Sequence, residues 1–292
     1  MPIEAGELKL QTQLFINNEF VDAKSGSTFN TVNPATEEVI ATVHAAGEAD
    51  INDAVAAASE AFKTFKNSNG CDRRDMLLRL ADLMEKHRKQ ISELESLDNG
   101  KPVHVADGVD VGFCIECYRY YAGWADKGGG KVINTTRDSG GTFAYTTHEP
   151  IGVCGMIIPW NFPLLMQAWK LGPAIAMGCT CVMKLSEKTP LSGLMFCELI
   201  REAGIPPGVV NVVNGYGQPT GELIGRHMDI KKIAFTGSSA IGHKIVEMSA
   251  QSNLKKCTLE LGGKSAMSAC PSSLSCVTCL PYPALVRASK VS

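Results

Sequence analysis

Apolar residues recur at intervals of three and four over residues 49–66 and again over residues 73–97, where Met76, Leu77, Leu80, Leu83 and Met84 fall on one stripe. That spacing predicts two amphipathic helices, because side chains three and four apart share a face of the α-helix. A third helix is expected over residues 109–124, closed by Gly128-Gly129-Gly130. Ahead of the helices, Leu14-Phe15-Ile16 and Phe20-Val21 flank an Asn17-Asn18 pair that tolerates positive φ, which reads as a β-hairpin. Residues 31–38 read as a turn, and residues 131–150, with Gly140-Gly141 between β-prone runs, as a protruding hairpin.

From residue 151 onward the pattern changes. Strand-like runs at 151–158, 179–185, 209–213, 232–235 and 256–261 alternate with helical spacing at 167–177, 191–203, 220–227 and 239–249. Strands separated by helices need crossover connections, so the expected fold class is α/β, with a doubly wound parallel sheet, N-terminal helices and the protruding hairpin. In such a sheet a ligand is expected outside the carboxyl ends of the strands.

Composition narrows the function classes. With 45% apolar and 20% charged residues the chain can bury a core. A net charge of -2 and the lack of any run of five like charges give no footprint for nucleic acid or an anionic membrane. No uncharged apolar stretch is long enough to suggest a membrane span. Residues 1–7 are acidic and show neither signal-peptide nor transit-peptide character, so the expected location is the cytoplasm. The 11 cysteines sit mostly within apolar runs such as Cys179-Thr180-Cys181, which fits reduced, buried thiols better than a disulfide framework.

Candidate chemistry sits at the ends of the expected strands. In Phe235-Thr236-Gly237-Ser238, Gly237 permits a tight turn and Ser238 can cap the following helix, whose first N–H groups suit a phosphate; a plain N-capped helix start is the alternative. Lys184 and Glu187 can each hydrogen-bond a ribose hydroxyl, or form an ordinary solvated pair. The Gly215–Gly221 cluster departs by one residue from G-x-G-x-x-G and reads as a strand-to-helix loop. Asn161 lies between Pro159 and Pro163, where a stiffly held amide can donate to a developing oxyanion or satisfy its own turn. Glu260 ends a strand before Gly262-Gly263, either as a general base or as a simple strand-end carboxylate. No metal site is expected: Cys270, Cys276 and Cys279 lack a second ligand pair at zinc-binding spacing.

The motifs P-W-N-F-P (159–163), F-T-G-S (235–238) and E-L-G-G-K-S (260–265), in this order and spacing, resemble the NAD-dependent aldehyde dehydrogenases of the class 1 and class 2 type. The likeness runs from about residue 13 to 265 and takes in a little over half of such an enzyme. It implies oxidation of an aldehyde to a carboxylic acid with NAD. A cysteine thiolate would attack the aldehyde, hydride would pass to NAD, and Glu260 would activate water to hydrolyse the thioester. Asn161 would share the oxyanion hole with the backbone N–H of that cysteine.

The resemblance further implies Ile157, Trp160, Lys184, Glu187, Gly217, Phe235, Gly237, Ser238, Ile241 and Leu261 as cofactor contacts. Of these, Lys184 and Glu187 would meet the adenosine ribose and Gly217 the adenine side. An acid at position 187 favours NAD over NADP, since a 2′-phosphate would face it uncompensated. Residues 1–127 with 151–262 would form a discontinuous coenzyme domain, and 128–150 an oligomerisation arm. The family's nucleophilic cysteine would fall at or past Ser292, and no F-x-x-x-G-Q-x-C-like run is present. The expectation is therefore a chain without the catalytic domain that binds NAD without turnover. Residues 266–292, free of acidic residues and scattered with Ser, Cys and Pro, are expected to form a disordered tail foreign to the family. Alternatives are a non-catalytic fragment that associates with full-length subunits, or a product that does not fold stably.

Overall fold

The computed structural model describes residues 10–135 and 142–266. Residues up to Glu260 form one compact unit; a second begins at Leu261, and of it residues 261–266 are described. The expected tail beyond Ala266 and the Gly140-Gly141 turn lie outside the described residues.

The hairpin at the start is present: β1 (Leu14–Ile16) and β2 (Glu19–Val21) are joined by Asn17 and Asn18, with φ of 55° and 63°. A second hairpin, β3 (Thr28–Val32) and β4 (Val39–His44), follows. The turn expected over residues 31–38 is thus shorter, since Thr31 and Val32 continue the strand and pair with Ala41 and Val39. Helices α1 (Glu48–Phe65), α2 (Gly70–Lys86) and α3 (Arg88–Asn99) come next. The single helix expected over residues 73–97 is therefore two, interrupted at His87. Its hydrogen bonds hardly lapse, because His87 N–H reaches Leu83 O and Ile91 N–H reaches His87 O, so the apolar stripe continues across the bend.

The helix expected from residue 109 starts earlier, as α4 (Val103–Val105), a wider π-type segment (Ala106–Val111) and α5 (Gly112–Ala122). The short strands β5 (Val132–Ile133) and β6 (Ala144–Tyr145) pair as the protruding hairpin.

The remaining elements alternate as the spacing predicts: β7 (Val153–Ile157), α6 (Pro163–Ala176), β8 (Thr180–Lys184), α7 (Leu191–Glu202), β9 (Val210–Val213), a π-type turn (Gly217–Gly221) leading into α8 (Glu222–Arg226), β10 (Lys232–Gly237), α9 (Ser239–Ala250) and β11 (Lys256–Leu261). The sheet order is β11-β10-β7-β8-β9-β1-β2. Strands β10, β7, β8 and β9 run parallel, and β1 joins β9 antiparallel through Phe15 and Val212. The N-terminal hairpin thus extends the parallel sheet, which its spacing alone did not disclose. Alternation along β7 divides the core: Cys154 and Met156 pack toward α2, α5, α6 and α7, whereas Val153 and Ile157 pack toward α1, α8 and α9. Helices on both faces make the fold doubly wound. The chain moves outward from β7 to β8 and β9, then returns to place β10 on the other side of β7. The switch point therefore lies between β7 and β10, where a crevice opens at the carboxyl ends.

Candidate active site

Strand register brings three of the expected residues side by side: Ile157 aligns with Lys184 on one neighbour and with Phe235 on the other. Lys184 is buried, and its ammonium donates to Leu185 O at 3.0 Å and lies 3.3 Å from Glu187 Oε2. Burial pushes this ammonium below its ordinary pKa, against the attraction of Glu187. The aliphatic part of Lys184 lies within ordinary contact of Gly221, 3.6 Å from where a Cβ on that glycine would stand, so the turn after β9 closes against it. Gly217, at the start of that turn, is exposed, with open space around it.

Gly237 follows Phe235 so closely that an added Cβ would lie 2.6 Å from the Phe235 ring. Ser238 caps α9, its Oγ accepting from Ile241 N–H at 3.4 Å, and Ile241 is exposed on the first turn. Trp160 and Asn161 stand exposed on the loop between β7 and α6. Trp160 and Glu187 line one cavity of about 660 Å³ with Lys188 and Tyr216, and the Lys188 ammonium lies 5.9 Å from the Trp160 ring centre. Phe235 and Glu260 line a different cavity of about 570 Å³. The expected residues therefore divide between two recesses. Leu261, the last residue of β11, is exposed.

Glu260 has a support that motif reasoning missed. Thr236 Oγ1 donates to Glu260 Oε2 at 3.0 Å and accepts from the Lys170 ammonium at 2.6 Å. Lys170 is only 7% exposed on α6, and burial lowers its pKa while Glu260 works the other way. A sequence signal existed: Lys170 is the only charged residue of the fourteen in α6, and a buried lysine needs a partner. The eight cysteines among the described residues are free thiols, and Cys114, Cys154, Cys179, Cys181 and Cys197 are buried. Among the described residues no helix is long and apolar enough to cross a membrane, and no group of three His, Cys, Asp or Glu side chains is arranged to hold a metal.

With this geometry in view, the comparisons with known proteins agree. The profile described as "Aldehyde dehydrogenase family" matches residues 20–272. An aldehyde dehydrogenase of Davidiella tassiana is 53% identical over 262 residues, covering 89% of this chain and 52% of that protein. A mitochondrial aldehyde dehydrogenase of Rattus norvegicus is 54% identical over 256 residues, covering 87% of this chain and 49% of that protein. Among solved structures, a putative aldehyde dehydrogenase from Burkholderia cenocepacia superimposes with a TM-score of 0.85 at 47% identity, over 88% of this chain and 52% of that one. The NAD+ complex of the Bacillus cereus aldehyde dehydrogenase gives 0.84 at 50% identity, with the same coverage. The chain spans about half the length of the curated relatives it matches. A profile match over most of the residues, carried on the same fold, means that this chain belongs to the aldehyde dehydrogenase family.

Proposed function

We propose that this chain holds NAD across the carboxyl ends of β7, β8 and β10, and that within a longer protein it serves the oxidation of an aldehyde to a carboxylic acid. The observation that carries the reading is the Lys170–Thr236–Glu260 chain of hydrogen bonds, which ties a prospective base to the same turn that opens α9. The residues present fit the cofactor. The Ser238-capped start of α9 offers N–H groups and a favourable dipole to a pyrophosphate, and Gly237, where a side chain would collide with the Phe235 ring, lets β10 turn tightly into that helix. Lys184 supplies a donor and Glu187 an acceptor for ribose hydroxyls, and Glu187 disfavours a 2′-phosphate. Ile157, Trp160, Gly217 and Ile241 complete the proposed contacts. When bound, NAD supplies the hydride acceptor.

The chain's own groups then have separate tasks. The Asn161 amide donates to the oxygen of the substrate carbonyl as negative charge develops on it. Glu260 accepts a proton from the water that hydrolyses an acyl-enzyme, while the Thr236 hydroxyl, itself held by the Lys170 ammonium, fixes its orientation. For the 292 residues by themselves the proposal is binding without turnover, since no F-x-x-x-G-Q-x-C-like run stands among them to form that acyl-enzyme.

Thermal unfolding with and without NAD tests the binding. A ligand at a hundredfold excess over its dissociation constant stabilises by about 2.7 kcal/mol, so a cooperative transition should move upward with NAD and less with NADP. A cooperative transition that NAD leaves in place refutes the reading. An NADH-absorbance assay with short aldehydes tests the lack of turnover.

A second reading is association with full-length subunits of the family through residues 128–150. It is favoured by the exposure of Val132 (70%), Phe143 (71%) and Tyr145 (63%) on the β5–β6 hairpin, and co-purification with a tagged full-length relative is its test. The proposed location is the cytoplasm. Relatives named as mitochondrial, such as that of Rattus norvegicus, make cell fractionation the deciding measurement.

A further inference from the structure

Three anchors surround Asn161, and all come from the end of α3 and the turn after it. Asn99, the last residue of α3, donates from Nδ2 to the Trp160 carbonyl at 2.5 Å. The Lys101 ammonium sits 3.8 Å from the centre of the Phe162 ring. Glu95 Oε1 accepts from Leu164 N–H at 3.5 Å. Residues 160, 162 and 164 are thus each held, and Asn161 lies between the first two.

The turn itself is built for this purpose. Gly100 has a φ of +84°, and an added Cβ there would lie 2.6 Å from Pro34 Cγ, so the position demands glycine twice over. This left-handed residue ends α3 and sends Lys101 back toward the loop. Lys101 is held in turn by an ion pair with Asp110, which is fully buried on the π-type segment.

We infer that Asn99 and Lys101 are positioning residues: the end of α3 clamps the loop 160–164 so that the Asn161 amide keeps one orientation relative to the switch-point crevice. The role given to Asn161 rests on the function proposed above; the clamp itself is a property of the fold and is tested separately.

Asn99→Ala is the informative substitution, because Asn99 is uncharged and partly exposed, so its loss leaves no buried charge behind. The measurement is hydrogen–deuterium exchange of the Phe162 and Leu164 amides, with the thermal midpoint measured alongside. One hydrogen bond shifts a local opening equilibrium by roughly three- to ten-fold, so exchange in this segment should accelerate by about that factor while β7, β8 and the thermal midpoint hold steady. Lys101→Met should accelerate the same amides and Lys101→Arg should restore them, since arginine keeps a cation over the Phe162 ring and a partner for Asp110. As a spectroscopic readout that general stability does not move, Trp160 emission in a Trp124→Phe, Trp169→Phe background should become more quenchable by acrylamide in Asn99→Ala. Unchanged loop exchange in Asn99→Ala, or acceleration spread evenly over the chain, overturns the clamp. Failure of the parent chain to bind NAD overturns the proposed function and leaves this exchange result readable.

Discussion

Replacing Glu95 with Gln should change how stability depends on pH, in a direction opposite to that of most carboxylates. Glu95 is fully buried, and burial raises its pKa from 4.5 to about 8; the Asp110 charge adds to the shift, and Ser192, Lys101 and the Leu164 N–H oppose it. In the unfolded chain the carboxyl ionises near its ordinary value, so between that value and about 8 the native state holds one proton more than the unfolded state. Stability therefore falls as pH rises through this window, by about 1.4 kcal/mol per pH unit while the full proton difference lasts. The contribution is complete below the unfolded pKa and lost above the folded one. Asp98 behaves likewise, raised to about 7 by burial against its bonds from Leu191 N–H and Thr31, so the interval from about 7 to 8 isolates Glu95. Gln cannot ionise and keeps an oxygen for Leu164. Urea midpoints of the parent and Glu95→Gln, measured from acid to mildly alkaline pH, should diverge in favour of the variant by about 1.4 kcal/mol per unit until Glu95 has ionised. Parallel profiles would refute the reasoning, showing that Glu95 is charged in the folded protein at neutral pH.

Two further substitutions probe the frame on which the site is built. Ser238→Ala removes the Oγ that caps α9 and should cost about 1 kcal/mol, read as a fall of roughly 2–4 °C in the thermal midpoint. Asn211→Ala removes a buried side chain that donates to Cys181 O at 3.2 Å and Gly208 O at 2.8 Å and accepts from Asn17 N–H at 2.9 Å. Leaving these groups unpaired should cost about 3 kcal/mol by urea denaturation and should loosen the amides of residues 14–21 ahead of those of β8.

The parallel unit was legible because most of its strands and helices announce themselves locally: a strand of four to six residues rich in apolar side chains, a turn, then spacing at three and four. The N-cap serine at the start of α9 was legible for the same reason, since a glycine turn followed by serine declares a helix start within a few positions. What escaped was pairing at long range. Leu14-Phe15-Ile16 identifies a strand, but nothing in the triplet names Val212 as the partner of Phe15; that partnership is fixed by Asn211, a polar residue inside an apolar strand that reaches the Asn17 turn. The break at His87 escaped because hydrogen bonding and the buried stripe both run through it. Lys170, Thr236 and Glu260 lie on three different elements, and only the fold brings them together.

Those cases share one cause, and α6 shows it most clearly. Its periodicity declares an apolar helix, yet its two functional connections arise from other elements: Glu95 grips the N–H of Leu164 at its start, and Lys170 near its middle reaches Thr236 on the way to Glu260. The loop that carries Asn161 and the hydrogen-bond chain that ends on Glu260 thereby both connect to α6. Six residues separate Leu164 from Lys170, about 9 Å of helix, and this length does not change when either neighbour shifts. α6 is also pinned from the side, where Gly172 lets it approach α5 so closely that an added Cβ would lie 2.9 Å from the Tyr121 ring. A helix fixed at its start, middle and flank can hold the loop of Asn161 relative to the β10–β11 strand ends more firmly than that loop could alone. A charged lysine can therefore stand in a segment that otherwise reads as pure core, because the Thr236 hydroxyl and the nearby Glu260 carboxylate partner it.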